Sequence, residues 1–232
     1  MVLPSRLLLA LLAALALSGC DLSGRAEAEI EAALPSVLGP AERYQATVDG
    51  LSARAGTAET VRVVGERVAR EDAPVIDRLD VTLSGVAFDR STRRLTRVDA
   101  ARGTARLLPA DLAAYLATQR GIADAELSLD APDRLTVRIR GEIGGARLPV
   151  GAEVRGRVVA QDGRVHFDVE GVRAAGIGLG GALARGVSDQ INPVVDLTDE
   201  DLALRVTAAR VVDGALVLEA TGDLTGVRIQ SP

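Results

Sequence analysis

Leu135-Thr136-Val137-Arg138-Ile139-Arg140 alternates apolar and polar side chains without a break. Successive side chains leave a strand on opposite sides, so this period of two predicts a strand with one buried and one wet face. The same pattern runs through Arg164-Val165-His166-Phe167-Asp168-Val169-Glu170, Leu202-Ala203-Leu204-Arg205-Val206-Thr207 and Ala215-Leu216-Val217-Leu218-Glu219-Ala220. Further strands are expected over Tyr44 to Leu51, Thr60 to Ala69, Ile76 to Phe88, Arg94 to Leu107, Ala125 to Leu129 and Ala152 to Ala160. Around Leu95 to Val98 the apolar face changes side, as a bulge would cause. Asp162-Gly163 and Asp213-Gly214 stand between alternating runs and predict tight hairpins. An acidic turn, an alternating run and a glycine recur at Asp133 to Gly141, Asp162 to Gly171 and Asp213 to Gly222. The intervals are unequal, which excludes a fixed-period solenoid and favours hairpins of one antiparallel sheet.

Three segments have helical spacing instead. Glu27 to Leu38 places Ile30, Leu34, Val37 and Leu38 on one face, with Pro35 bending or ending it. Ala110 to Arg120 places Leu112, Tyr115, Leu116 and Gln119 together, with Pro109 at its start and Gly121 as a C-terminal cap. Leu179 to Ile191 repeats Leu179, Leu183, Val187 and Ile191 every fourth residue and stops at Pro193. The expected architecture is α+β, a long, curved antiparallel sheet with a few helices against its apolar face.

Ahead of this lies a different kind of sequence. Arg6 is followed by eleven apolar residues, Leu7 to Leu17. That suits the core of an export signal and is too short to span a bilayer as a helix, which takes about 20 residues. Leu17-Ser18-Gly19-Cys20 then resembles a bacterial lipobox, in which the Cys receives a diacylglycerol and the chain is cut before it. Residues 1–19 are therefore expected to be a lipoprotein signal peptide. Residues 20–25 would be the lipidated Cys20 with a short tether, and residues 26–232 a single domain. The protein is expected to be exported and membrane-anchored, facing the periplasm or another extracytoplasmic space. Cys20 is the one cysteine of the chain, so no internal disulfide supports the fold.

Composition excludes several functions. Of 232 residues, 47% are apolar and 25% charged, which suits a globular chain rather than a disordered one. Aromatic residues are 2%, with no Trp, so no stacking platform for nucleic acid is available. The net charge of −5 becomes −6 once Arg6 leaves with the signal, so no basic footprint exists for nucleic acid either. All 27 basic residues are Arg, which removes lysine chemistry. One His and one Cys leave little material for a zinc site or a hydrolytic triad.

The remaining candidates read as structure. His166 lies on the polar side of its strand, with only Asp168 nearby to orient it. Asp196, Asp199, Glu200 and Asp201 lack the glycine-punctuated spacing of a calcium loop and read as a polar turn. Gly176-Ile177-Gly178-Leu179-Gly180-Gly181 has the wrong spacing for a dinucleotide fingerprint and reads as a strand-to-helix connection. Arg134, Arg138, Arg140, Arg155, Arg157 and Arg164 occupy polar strand positions, a solvated face of which a minority could meet anionic headgroups. No enzyme activity, metal or cofactor is expected.

From about Glu29 to Gly222 the order of elements resembles the LmeA-like phospholipid-binding family of bacterial envelope proteins. The segments that carry the resemblance are Val137-Arg138-Ile139-Arg140-Gly141-Glu142-Ile143, Leu148-Pro149-Val150, Ile191-Asn192-Pro193 to Leu197, and Arg210-Val211-Val212-Asp213-Gly214-Ala215-Leu216-Val217-Leu218. The resemblance implies a tubular lipid-binding fold, with acyl chains in an apolar groove and the headgroup near its rim. Leu135, Val137, Ile139, Val165, Phe167, Val169, Leu204, Val206, Leu216 and Leu218 would line that groove. The expected partners are phospholipid or a related envelope lipid and, through Cys20, the membrane. The alternative is a structural or assembly lipoprotein whose sheet packs on a protein partner.

Overall fold

A computed structural model describes residues 22–71, 73–89, 94–119, 122–143, 146–174, 177–179, 181, 188, 192, 195–196 and 205–223. The first described element is helix α1, Leu22–Leu38. Ala26, Ile30, Leu34, Val37 and Leu38 form its buried stripe. Its spacing of three and four residues is what lays one helix face on a sheet. The expected start at Glu27 is corrected to Leu22, so most of the expected tether is helical. The helix ends at Gly39, where φ is +104° and a Cβ would stand 2.1 Å from the Ala69 carbonyl oxygen. Only glycine closes the helix there.

The strands that follow are β1 Arg43–Asp49, β2 Thr57–Val68, β3 Ile76–Asp89, β4 Arg94–Arg97 and β5 Ala100–Leu107. Helix α2, Pro109–Ala117, crosses to β6 Ile122–Asp130, β7 Arg134–Ile143, β8 Ala146–Gln161, β9 Arg164–Ala174, β10 Ile177–Leu179 and β11 Val195–Asp196. The chain then returns in β12 Arg205–Val212 and β13 Ala215–Asp223.

The strands form two antiparallel sheets where one was expected. The first has the order β1-β2-β3-β5-β13-β12, with β4 beside β3; the second has the order β10-β9-β8-β7-β6, with β11 beside β9. Helix α2 is the reason for the split, because it separates β6 from β5 and leaves β6 to β11 to pair among themselves. The sheets meet through the turns of the second. The Val206 amide donates to the Gly163 carbonyl at 3.1 Å, and the Val211 amide to the Pro132 carbonyl at 2.6 Å. The molecule is α+β in the broad sense and mostly sheet, and neither sheet closes into a barrel among the described residues.

Local chemistry explains the joints. Asp162 and Gly163 have φ of 53° and 77°, and Asp213 and Gly214 have 48° and 68°. Two successive positive φ values give the hairpin turn whose twist matches that of its strands. The expected strand Arg94 to Leu107 is broken at Val98-Asp99 into β4 and β5. The β3–β4 register shifts between the Ala87–Arg97 and Phe88–Leu95 pairs, so the extra residue falls on β4 within Leu95 to Val98, where the apolar pattern changes side. The helix expected over Leu179 to Ile191 falls largely outside the described residues, and Leu179 itself belongs to β10.

Two cores result. The first lies between α1 and strands β1, β2 and β3, and includes Ile30, Leu34, Val48, Val61, Val63 and Phe88. The carboxylates of Glu27 and Glu31 accept from the Val48 and Ala46 amides at 2.9 and 2.8 Å. Residues four apart on a helix and two apart on a strand advance by similar lengths, so the helix satisfies the outer edge of β1 as a further strand would. Tyr44 donates its hydroxyl to the Gly39 carbonyl at 2.8 Å and ties β1 to the end of α1. Burial pushes the Tyr44 hydroxyl up to about 12, against the opposing charge of Arg70. On the outer face of this sheet, Arg62 donates to Asp80 through Nε and Nη2 at 3.0 and 2.5 Å and holds its carboxyl below the usual carboxylate range.

Candidate functional site

The second core draws side chains from both sheets. The second sheet contributes Leu135, Val137 and Ile139 of β7 and Val165 and Phe167 of β9. The first sheet contributes Val206 of β12 and Leu216 and Leu218 of β13. None of these eight is more than 9% exposed. Val169 is half-buried and packs against them. Nine of the ten residues expected to line a groove are thus brought into one apolar cluster, while Leu204 and Cys20 lie outside the described residues.

Sequence reasoning missed part of this wall. Ala152, Val154 and Val158 of β8, Val172 of β9, Leu107 of β5 and Leu112 of α2 belong to the same cluster. The β8 residues alternate and were within reach of the period-two reading. Val172 was not, because β9 changes phase. Gly156 faces Val169 while the adjacent Arg155 faces Gly171, so one extra residue of β9 inverts its faces.

Two polar devices hold the core's margins. The Asn192 side chain acts as a short piece of strand: its Oδ1 accepts from the Phe167 amide at 2.7 Å and its Nδ2 donates to the Phe167 carbonyl at 3.0 Å. It therefore fixes the backbone of the largest fully buried side chain. At another margin, Arg67, with φ of +54°, donates through two nitrogens to the Asp111 carboxylate at 2.6 and 2.8 Å. Asp77 lies 3.7 Å from Arg67 and also pairs with Arg106. The network joins β2, β3 and β5 to the first turn of α2, the helix that carries Leu112 into the second core.

The opposite face of the second sheet is charged. Asp124, Glu126, Arg138, Arg140, Glu153, Arg155 and Arg173 line a groove of about 550 Å³ there. Arg140 pairs with Asp124. Arg138 lies 3.3 Å from Glu153 and 3.9 Å from Glu126, and Arg155 lies 2.6 Å from Glu153. Desolvation pushes the Glu153 carboxyl up, but Arg138 and Arg155 together hold it below its usual range. Most of the arginines expected on a solvated face are here, or pair nearby as Arg157 does with Glu170 at 2.6 Å.

The other sequence candidates do not converge. His166 is half-buried on β9 and faces Val159 across the strand pair. Among the described residues no three His, Cys, Asp or Glu side chains are grouped to hold a metal ion. Of the acidic cluster, Asp196 is in β11, and Asp199, Glu200 and Asp201 lie outside the described residues. No described helix is long and apolar enough to cross a membrane.

Comparison with curated proteins and with solved structures finds no match. A family model described as LmeA-like phospholipid-binding matches residues 22–221, which takes in both sheets and both cores. On that coverage the chain belongs to the LmeA-like phospholipid-binding family.

Proposed function

We propose that the protein is a cell-envelope lipoprotein that binds the acyl chains of phospholipid in its second core and carries or presents them. The observation that supports this most directly is the gathering of Leu135, Val137, Ile139, Val165, Phe167, Val206, Leu216 and Leu218 into one apolar wall in a chain of a phospholipid-binding family. Aliphatic side chains from both sheets would flank a chain inserted between them, and few polar groups would fix its orientation. Such a lining selects chain shape more than headgroup. Burial of apolar area at about 25 cal/mol per Å² drives uptake, and departure from an equally apolar bilayer opposes it. A small net affinity over the membrane suits a carrier.

Native mass spectrometry on residues 21–232, before and after organic extraction, tests the reading. About one co-purifying phospholipid per chain is expected, lost on extraction and regained from fluorescent phospholipid vesicles. A clean apo mass that persists after incubation with liposomes would sink the proposal and put a protein partner first.

A further inference from the structure

The charged groove lies on the face of the second sheet that points away from its apolar core, so it is independent of the acyl-chain reading. Its lining is ordered. Glu126 faces Arg138, Arg138 faces Glu153, and Glu153 faces Arg173 across β6, β7, β8 and β9. Opposite charges on directly facing residues stabilise neighbouring strands. The row thus alternates in sign from Glu126 to Arg173.

The alternation then stops. The residue facing Arg173 on β10 is Gly178, and the residue two before it on β9, on the same face, is Gly171. A Cβ built at either glycine would have no atom within 4 Å. Among the described residues, these two neighbouring positions therefore carry no side chain and are open. Glu153, the remaining neighbour, is engaged by Arg138 and Arg155. Among the described residues Arg173 has no carboxylate at ion-pair distance. Four guanidinium groups and three carboxylates line the groove, and the surplus positive charge falls at its glycine-bordered end.

We infer that this end of the groove binds the phosphate group of a phosphate ester, held by Arg173 with Arg155 beside it. Arg155 faces Gly171, which makes it the diagonal neighbour of Arg173. Diagonal neighbours are roughly 7–8 Å apart at the backbone, a span two long arginine side chains close over one oxyanion. The planar guanidinium matches phosphate oxygens in pairs. A groove of about 550 Å³ has room for the ester's substituent as well as the phosphate. The ester is either a soluble molecule or a lipid headgroup at a membrane surface.

Two probes on the full chain separate these sources, and Arg173→Gln tests the site. Arg173 is exposed, so the fold should tolerate the change. Calorimetric titration with glycerol phosphate reads the soluble source. Co-sedimentation in a Cys20→Ala background, with phosphatidylglycerol vesicles against phosphatidylcholine vesicles, reads the headgroup source. Saturable binding of either probe is expected, weakened at least about tenfold by Arg173→Gln, as for loss of one hydrogen-bonded charged group. It should be unchanged by Arg102→Gln on the first sheet, which removes the same charge elsewhere. Binding to neither probe would overturn the inference, and so would equal losses in the two variants, which would report net charge alone.

Discussion

Tyr44 shows how much one side chain can hold. Its ring is half-buried between β1 and the end of α1, and its hydroxyl donates to the carbonyl of the glycine that closes the helix. The ionised form cannot make that bond and is poorly solvated there. The folded protein keeps the proton up to about pH 12, against an ordinary value of 10.0. The neutral tyrosine's contribution is therefore complete below pH 10 and is lost as pH rises from there through about 12. Denaturant unfolding across that window should show stability falling, and Tyr44→Phe should flatten the fall. A slope that Tyr44→Phe leaves unchanged would assign the alkaline loss to other groups. Residues of this kind were invisible in the sequence. Leu135, Val137 and Ile139 declared their side of a strand by alternation alone. The partnerships of Tyr44 with Gly39, or of Asn192 with Phe167, join positions that share no periodic pattern.

At the scale of elements, the strands were legible because sheet periodicity is a property of neighbouring residues. Their pairing into two sheets was not, because it depends on where a short helix crosses. Bulges were legible only in part. The change of face near Leu95 could be read, but the inversion within β9 could not, since Val169 and Val172 are both compatible with an inward position until β8 is placed beside them. Helix α2 depends on a contact of the same long range. Arg67 and Asp111 are 44 residues apart, and the side chain of Asp111 is 12% exposed. Breaking one side of a partly buried, doubly hydrogen-bonded pair costs roughly 1–3 kcal/mol. Arg67→Ala and Asp111→Ala should each destabilise by about that amount, with the double variant costing clearly less than their sum. Amide exchange in α2 should accelerate ahead of the β7–β9 amides. Additive losses would show that the two side chains act separately.

For the whole molecule, sequence reading reached the family and the balance of sheet over helix, but not the presence of two cores. One apolar stripe per strand cannot say whether two strands share a core. The proposed membrane anchoring belongs to this scale too, and Cys20 would carry it. In membrane fractionation of a bacterial host, the wild-type chain is expected with the membranes and Cys20→Ala as a soluble or unprocessed species. Equal and tight membrane association of both would refute lipidation as the anchor. A failure here would leave the acyl-chain reading standing, because that rests on the second core and on residues 22–221.

The start of α1 at Leu22 has a mechanical consequence. One residue, Asp21, stands between Cys20 and the first helical residue, a reach of about 7 Å at full extension. A diacylglycerol on Cys20 would act as a rigid foot rather than a leash. Glu27 of α1 lies against Val48 and Glu31 against Ala46, so the helix's first turn points to the end of the first sheet where β1 passes into β2. The second core begins at the other end, where Arg106 pairs with Arg78 and Leu107 with Leu216. From Ala87 to Arg78, β3 spans roughly 30 Å at the strand rise. The molecule would stand on its membrane like a mast, with its apolar hold kept at a set height above the headgroups.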